Sequence, residues 1–337
     1  MKTTILLTAA MACLCFVQAA CGYTREEAIK RGYVVCGVST GSPGFSTVNA
    51  KGAWTGLDVD ICRAVAAAVL GNAGKVEYTP LAENESFTAL LTGEVDILAR
   101  HASWTFTRDT AMAAHFAGIS YYDAQGLMVS KAANAEKAGD LKNVRVCGTA
   151  GSGSEPGLAD YLERNKIAYK TIRFENLDLA VKGFEEGRCD LISLQQSQLF
   201  GLRLGLAHPE NAVILSDILS KEPHGPVVRQ GDSAWFDIVK WSLYAMIDAE
   251  ELGITSKNVD EMRISNRLDL KQFFGLHGKP GSGLGLRDDW AEQIIRQVGN
   301  YGEVFERNLG SQSEVGLGRG LNRLWTKGGL QYAPPLR

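Results

Sequence analysis

Two short stretches of the chain carry groups that could bind a small anion. Arg108 follows Thr105, which can cap a helix, so its guanidinium belongs to a first helical turn. The run from Gly151 to Ser154 leads into another predicted helix, where free backbone N–H groups can meet an anion. A guanidinium fork and such amides together bind a carboxylate well. The plainer alternatives are a solvated arginine on a helix surface and an ordinary turn.

Other kinds of chemistry find little support in the sequence. The five histidines are dispersed, the cysteine spacing matches no zinc pattern, and neither a P-loop nor a Gly-x-Ser-x-Gly elbow is present. The glycine-rich run from Gly281 to Gly285 follows no first strand and indicates a flexible turn. A net charge of −3 without a basic run argues against nucleic-acid partners. We expect no metal, no cofactor and no catalytic residues.

The elements that must position these groups alternate between strand-like and helix-like segments, which predicts an α/β architecture. Val34 to Val38 and Val144 to Gly148 each contain a Val-Cys-Gly strand that begins one half of the chain. The turn from Gly93 to Leu98 reappears in the second half as Gly187 to Ile192. These repeats predict two similar lobes with mainly parallel sheets, unless the units resemble one another by chance. Further strands are predicted at 76–78 and 171–174, and helices at 61–70, 86–91, 179–185 and 235–252, with another from 107.

Two extended runs connect the predicted lobes. Tyr121 to Ser130 leaves the first lobe and His224 to Arg229 returns from the second, so two crossing strands would form a hinge beside a cleft. The glycine-rich tail beyond Gly275 is expected to wrap a lobe. The predicted domains are a signal peptide at 1–20, the first part of lobe 1 at 21–123, lobe 2 at 124–228, and a return to lobe 1 with a C-terminal extension at 229–337.

The first twenty residues have the pattern of a secretory signal peptide. Lys2 supplies the positive end, the run from Ile5 to Val17 is apolar, and Ala19 and Ala20 are small residues near a cleavage site. A buried N-terminal helix is the alternative. Cys21 raises the possibility of a lipid anchor, although Gln18 stands three residues before it, where such signals carry an apolar residue. We expect a soluble, monomeric mature protein in the periplasm.

Four cysteines remain in the body of the chain, an even number in an oxidising compartment. Cys36 lies in the first strand of lobe 1, and Cys62 begins the helix that follows it. Cys147 and Cys189 lie on neighbouring predicted strands of lobe 2. We therefore predict the disulfides Cys36–Cys62 and Cys147–Cys189, one in each lobe, so that neither restrains the hinge.

The segment from Gly56 to Ile61, with apolar residues at 65, 66 and 69 after it, resembles the signature of family 3 bacterial solute-binding proteins. The likeness extends over nearly the whole mature chain. Within the family, the chain looks like the general L-amino-acid-binding branch at segments 51–56, 103–109, 121–126, 221–226, 300–303 and 325–329.

This resemblance implies the two-lobed periplasmic binding protein fold of type II, which closes like a Venus flytrap around a ligand. It implies capture of an amino acid or related small carboxylate for the membrane permease of an ABC importer. Arg108 matches the carboxylate-binding arginine of the family, and Ser103 matches a nearby hydroxyl contact. Ser152 and Gly153 correspond by position to the second carboxylate contact, on lobe 2.

Three positions depart from the family pattern. Gln195 stands where relatives carry the aspartate that binds the ligand's ammonium, and a neutral amide cannot balance that charge. Arg100 and His101 stand where relatives carry small or amide residues. The ligand would then be more anionic than a neutral amino acid, or would lack a free ammonium. The alternative is compensation by another acid, such as Glu155 or Asp123.

Three aromatic residues could take either of two roles. Trp54 and Trp104 could form walls of the cleft or belong to the core, and Phe45 could cover the ligand or fix its own loop. An enzyme on the same fold, similar to cyclohexadienyl dehydratase, is the alternative function. Acid–base chemistry would then fall to His101 or Glu155.

Overall fold

A computed structural model of the protein describes residues 24–149 and 155–336. The strands of these residues are β1 (Val34–Ser39), β2 (Thr47–Val48), β3 (Trp54–Thr55), β4 (Val76–Leu81), β5 (Ile97–Leu98), β6 (Ala114–Phe116), β7 (Tyr121–Asp123), β8 (Gln125–Ser130), β9 (Val144–Thr149), β10 (Tyr169–Phe174), β11 (Leu191–Gln195), β12 (Ala212–Ile214), β13 (Glu222–His224) and β14 (Val227–Arg229).

The helices of the same residues alternate with these strands as far as α8 and then follow one another without strands between them as far as Asn308. They are α1 (Thr24–Arg31), α2 (Leu57–Leu70), α3 (Glu83–Thr92), α4 (Phe106–Ala111), α5 (Glu155–Arg164), α6 (Leu177–Glu185), α7 (Gln196–Leu204), α8 (Ser233–Leu252), α9 (Val259–Arg263), α10 (Leu268–Phe273), α11 (Trp290–Gln297) and α12 (Tyr301–Asn308). In this part of the chain, every helix is too short or too polar to cross a bilayer.

The described residues contain two five-stranded sheets of the same design, one in each lobe. The first has the strand order β4-β1-β5-β14-β6, and the second has the order β10-β9-β11-β8-β12. In each sheet the first three strands are parallel, and the last two lie antiparallel to their neighbours. The two-lobed prediction is confirmed. The sheets are mixed rather than wholly parallel, because β14 and β8, the strands that follow the hinge, run antiparallel to their neighbours.

Two aspartates fix corresponding strands of the two sheets in the same way. The carboxylate of Asp96 accepts a hydrogen bond from the Val35 N–H of β1 at 2.8 Å, and the Asp96 N–H donates to the Val35 carbonyl. Asp190 makes the same pair of bonds with Arg145 of β9, with 3.0 Å to its carboxylate. The repeated Gly-x-x-Asp turn therefore anchors equivalent strands, which explains why it occurs once in each half.

Helix α2 explains the acidic pair of the Gly56–Ile61 motif. Its alanine-rich sequence favours a helix, and it starts at Leu57, four residues before the predicted Ile61. Its two acidic residues lie in the first turn, where the helix dipole favours negative charge. Asp60 also accepts hydrogen bonds from Arg307 at 2.8 Å and from Asn308 at 2.6 Å, which tie α12 to α2.

The two strands that join the lobes are β7 and β13. They pair antiparallel, with Tyr121 opposite His224 and Asp123 opposite Glu222. Each continues directly into a lobe, because β8 belongs to the second sheet and β14 belongs to the first. The extended runs expected from the sequence are therefore present, and the returning one begins at Glu222 rather than His224.

The C-terminal part of the chain is more helical than its glycine content suggested. Helices α11 and α12 fall in the region predicted only as a wrapping tail, and α11 packs against α2 and α8 in the lobe 1 core. Its buried residues Ile294 and Ile295, with Trp290 one turn earlier, have the spacing of a helix face. This spacing was visible in the sequence and could have revealed the helix.

The same C-terminal part also holds strand β7. The side chain of Asn322 accepts a hydrogen bond from the Tyr122 N–H at 2.7 Å and donates one to the Tyr122 carbonyl at 3.1 Å. The Tyr301 hydroxyl donates to the carbonyl of Ser120 at 2.8 Å. One edge of β7 is therefore paired with β13, and its backbone is also bound by side chains from beyond α11.

Both predicted disulfides are confirmed. Cys36–Cys62 joins β1 to α2 within lobe 1, and Cys147–Cys189 joins β9 to the residues before β11 within lobe 2. Their sequence separations are 26 and 42 residues. Neither bridge crosses the hinge.

Removal of either disulfide should lower the free energy of unfolding. Loops of this size predict a loss of about 3–4 kcal/mol each, because the cross-link removes chain entropy from the unfolded state. Urea unfolding of the double variants Cys36→Ala/Cys62→Ala and Cys147→Ala/Cys189→Ala, compared with the oxidised parent, measures the loss. A loss below about 1 kcal/mol in either variant would contradict the entropic account.

Candidate functional site

A cavity of about 890 Å³ lies between the two lobes. It lies at the carboxyl ends of strands β1, β5 and β11, which is where open α/β sheets bind ligands. Among the described residues, the lining includes Ser39, Thr40, Gly41, Ser42, Pro43, Glu83, Arg100, His101, Ser103, Thr105, Arg108, Gln125, Leu177, Leu194, Gln195, Ser197, Gln198, Leu202 and Glu222. Both lobes and a hinge strand therefore contribute to one cleft, which we call the inter-lobe cleft.

Arg108 is held at the lobe 1 side of the inter-lobe cleft. Thr105 caps α4 by accepting a hydrogen bond from the Arg108 N–H at 3.3 Å, as the sequence predicts. The guanidinium donates to the carbonyl of Ser103 at 3.2 Å and to the carboxylate of Glu83 at 2.7 Å. Because the Glu83 side chain is 69% exposed, its ion pair with Arg108 is weak and open to exchange.

Arg100 also lines the inter-lobe cleft, but its guanidinium differs from that of Arg108 in its contacts. It makes no hydrogen bond or ion pair with the described residues, and its Nε is buried without a partner. Burial lowers the pKa of Arg100, while the charges of Glu83 and Asp58 act in the opposite direction. Asp58 is itself buried, which raises its pKa to about 6 although His101 and Arg100 favour its ionised form.

Gln195 and Ser103 connect the lobes across the inter-lobe cleft. The Gln195 amide, at the end of β11, donates a hydrogen bond to the Ser103 hydroxyl at 3.3 Å. Neither acid considered as a substitute for an aspartate at 195 is among the described lining residues of the inter-lobe cleft. Glu155 pairs with Arg173 at 2.8 and 2.9 Å, and the Asp123 carboxylate contacts His101 and Ser197.

Three rings are stacked below the inter-lobe cleft. His101 lies between Phe45 and His224, with 3.9 Å between ring centroids on each side. The backbone of His101 has a φ of 61°, in the left-handed region that few residues other than glycine adopt. The stack holds the His101 imidazole in place. The left-handed backbone of His101 directs this side chain toward the hinge.

The carboxylate of Asp123 joins this stack to lobe 2. It accepts a hydrogen bond from the Ser197 hydroxyl at 2.5 Å and lies 3.4 Å from Nε2 of His101. The Ser197 oxygen is in turn 3.2 Å from the same His101 nitrogen. Asp123 is on a hinge strand, His101 on lobe 1 and Ser197 on lobe 2, so one buried network connects all three parts of the molecule. We call it the hinge network.

Burial and charge act in opposition within the hinge network. Burial tends to raise the pKa of Asp123, but His101 and Ser197 outweigh it and hold that pKa below its ordinary value. Burial, reinforced by His101, holds the pKa of His224 well below its ordinary value, although Asp123 acts in the opposite direction. His224 is therefore a neutral imidazole beside an ionised carboxylate.

The contacts of His224 indicate which of its two ring nitrogens carries the hydrogen. Nδ1 lies 2.9 Å from the carbonyl of His101, an acceptor, so Nδ1 carries the hydrogen and donates it. Nε2 then presents a lone pair, and it has no hydrogen-bond partner in the described part of the chain. It lies 3.9 Å from the carboxylate of Asp123.

His101, Asp123 and His224 bring possible metal-ligand atoms within 4.8 Å of one another. A metal needs lone pairs that converge on one point. The two imidazoles are stacked with 3.9 Å between centroids and an interplanar angle of only 18°, so their Nε2 lone pairs lie in two separate, nearly parallel planes and cannot meet at one point. This arrangement suits a hydrogen-bonded network and does not suit metal coordination.

The family model for bacterial extracellular solute-binding proteins, family 3, matches residues 34–258. The chain belongs to this family. The match includes both sheets and the hinge strands and ends just before α9, so the helices from α9 to α12 are additional to the family model.

The relatives of this family 3 protein match almost its whole length. It is 50% identical over 321 residues to the general L-amino acid-binding periplasmic protein AapJ of Rhizobium johnstonii, covering 95% of this chain and 94% of AapJ. It is 44% identical over 320 residues to the glutamate/glutamine/aspartate/asparagine-binding protein BztA of Rhodobacter capsulatus, covering 95% of each.

A solved structure shows the same fold. The ABC transporter/periplasmic binding protein from Brucella ovis with glutathione bound matches with a TM-score of 0.86 and 48% identity, covering 93% of this chain and 99% of that one. The two-lobed fold predicted from the sequence and the predicted family are both confirmed.

Five of the predicted ligand-binding residues lie together in the inter-lobe cleft, namely Arg100, His101, Ser103, Arg108 and Gln195. Phe45 and Trp54 are not among its described lining residues. Phe45 is buried beneath His101, and the Trp54 ring packs beside Tyr78. Phe45 therefore fixes the loop and the His101 ring from behind.

Two other predictions concern the role of Trp104 and the contacts of Ser152 and Gly153 from lobe 2. Trp104 stacks on Phe116, with 5.3 Å between centroids, and packs against the lobe 1 interior. Ser152 and Gly153 lie outside the described residues.

Sequence reasoning missed several residues of the inter-lobe cleft. Ser197 and Glu83 were not predicted, nor was the loop from Ser39 to Pro43. The loop and Ser197 follow the carboxyl ends of parallel strands β1 and β11, so the general rule for α/β sheets could have found them. The pairing of Glu83 with Arg108 depends on tertiary packing and has no local signal.

The protonation of His224 should make stability depend on pH. Its folded pKa lies below the unfolded value of about 6.5, so the unfolded chain binds the proton more readily. This contribution is full above pH 6.5 and is lost as the pH falls toward the folded pKa, by up to about 1.4 kcal/mol per pH unit. Urea unfolding between pH 7.5 and 5 should show a flatter decline for His224→Gln than for the parent.

His208→Gln is the matched control because it removes an exposed imidazole, and its decline should equal that of the parent. Asp58, with a pKa of about 6, contributes with the opposite sign in all three proteins and cancels in the comparison. Equal declines for His224→Gln and the parent would show that His224 is not held neutral.

Proposed function

We propose that this family 3 protein captures an amino acid or related small carboxylate and delivers it to the membrane permease of an ABC importer. The observation that carries the proposal is Arg108, which a helix cap and the Ser103 carbonyl hold at an inter-lobe cleft between two hinged lobes. AapJ and BztA are named for amino-acid binding, which supports the ligand class.

The proposed site combines groups from both lobes. Arg108 and Ser103 would bind the carboxylate from lobe 1, with the ligand replacing the exposed carboxylate of Glu83. Ser152 and Gly153 would add backbone amides from lobe 2, as the resemblance to the family implies. Gln195 would bind the ligand through its amide. The proposal includes the domain limits: 21–123 for the first part of lobe 1, 124–228 for lobe 2, and 229–337 for the return to lobe 1 with the C-terminal extension.

Closure of the lobes would convert binding into a signal. Only the closed shape brings the two sets of contacts onto one ligand, so the ligand shifts the population toward that shape. A permease that recognises the closed shape would then accept loaded protein in preference to empty protein.

Binding rather than catalysis is also what the contacts support. The relatives are named as binding proteins. Of the two residues considered for acid–base chemistry, Glu155 is not among the described lining residues of the inter-lobe cleft, and Nε2 of His101 contacts Asp123 and Ser197 of the hinge network. These contacts give no support to a cyclohexadienyl dehydratase-like reaction.

Arg108→Ala should abolish ligand-induced stabilisation. A thermal-shift screen of the parent against amino acids, dicarboxylates, sulfonates and glutathione should find compounds that raise the melting temperature, by mass action. For those compounds, Arg108→Ala should weaken binding by about tenfold or more, because a charge-assisted paired hydrogen bond is lost. Arg164→Ala is the control, since that exposed residue pairs with Asp160 of its own helix. An unchanged shift in Arg108→Ala would refute the assigned carboxylate contact.

Export is a second part of the proposal. Residues 1–20, which lie outside the described residues, would direct secretion and be removed, in keeping with an extracellular family. Mass spectrometry of protein from the periplasmic fraction should find a chain that begins at Ala20 or Cys21. Cys21→Ser should fractionate like the parent if Cys21 carries no lipid. A mature chain that retains Lys2 would contradict removal of the signal.

A further inference from the structure

The two arginines of the inter-lobe cleft differ in what they already bind. The guanidinium of Arg108 donates to Glu83 and to the Ser103 carbonyl. Arg100 donates to no described residue, and no carboxylate of the described part of the chain lies within 4.0 Å of it. Arg100 thus keeps its donors free at the wall of a cavity large enough for a ligand.

A partly buried guanidinium without acceptors is costly for the empty protein. Each unmade hydrogen bond of a buried polar group costs free energy, and the cost is larger for a charged group. A ligand that supplies two oxygens in the plane of the guanidinium recovers this cost. A carboxylate or sulfonate does so with a full opposite charge, whereas an amide offers one oxygen and no charge.

The acids near Arg100 do not take this role. Glu83 is bound by Arg108, and Glu222 accepts a hydrogen bond from the Ser220 hydroxyl at 3.1 Å. Asp58 is buried, and it acts on Arg100 through its charge without a contact.

The two arginines also act on each other. The positive charge of Arg108 disfavours that of Arg100, so the two charges are close enough to interact through space. A ligand with two acidic groups would balance both positive charges, while a ligand with one would leave one of them unbalanced. The neutral amide of Gln195, bonded to Ser103, adds no negative charge to the balance.

We infer that Arg100 forms a second anion subsite, so that the preferred ligand is a small molecule with two acidic groups, one bound by Arg108 and the other by Arg100. This inference rests on the proposed function, since it uses the carboxylate contact of Arg108. It adds that the protein discriminates diacids from their half-amides, and that an ammonium group on the ligand is not required.

Matched pairs of ligands test the subsite. The probes are glutamate with glutamine, aspartate with asparagine, and glutarate with glutaramate, measured by isothermal titration calorimetry. Each pair differs only in one acid against one amide, and the last pair lacks an ammonium. For at least one pair, the parent should bind the acid about tenfold or more tightly than the amide, in line with one charge-assisted paired hydrogen bond.

The variants Arg100→Gln, Arg100→Lys and Arg108→Gln separate the two subsites. Arg100→Gln should reduce the acid-to-amide ratio to near one and leave the affinity for the amide within about threefold. Arg100→Lys, which keeps the charge without the fork, should retain part of the preference. Arg108→Gln should weaken both members of a pair alike, and Arg164→Gln should change neither.

The melting temperature without ligand gives an independent readout. Removal of a guanidinium that binds nothing in the empty protein should leave this temperature unchanged or higher in Arg100→Gln. A clear fall would show that Arg100 has a structural role and would overturn the inference. Equal binding of acids and amides by the parent would overturn it too, while the proposed function would survive. Failure of every probe to bind would count against both.

Discussion

The carboxylate of Asp123 is the interaction on which the junction of the two lobes depends. It is buried on a hinge strand and is shared by a hydroxyl from lobe 2 and an imidazole from lobe 1. Such a charge is stable only when its partners stay in place, and removal of one partner would leave it uncompensated. The relative position of the lobes and the ionisation of this single group are therefore linked. His101 and Ser197 also line the inter-lobe cleft, so the same two residues belong to the cleft wall and to the hinge network.

The inter-lobe cleft itself shows how one residue type serves two purposes. Arg108 is positioned by a cap and by a backbone carbonyl, so the protein itself fixes the place of this guanidinium. Arg100 has a buried Nε and no such support from the described residues. The contrast between a supported and an unsupported guanidinium is a structural property that residue type alone does not reveal, and it is the basis for assigning different roles to the two.

The sequence was sufficient wherever the signal is local or repeated. The Val-Cys-Gly strands and the Gly-x-x-Asp turns of each half predicted the lobes and both disulfides, because each reports contacts within one small unit. The cap at Thr105 likewise placed Arg108 correctly in its helix. The hinge network was not predictable in this way. His101 and His224 are separated by 123 positions and meet only after the two sheets have formed.

The part of the chain beyond the family model has a mechanical consequence. Asn322 binds both backbone groups of Tyr122, and Tyr301 binds the residue that precedes β7, so this strand is tied to the lobe 1 body. We expect any flexing of this strand to occur after Tyr122, at Asp123 and the start of β8, because the residues before that point are tied to lobe 1. The C-terminal extension would thereby leave only a short length of this hinge strand free to bend, beside the residue whose carboxylate contacts both lobes.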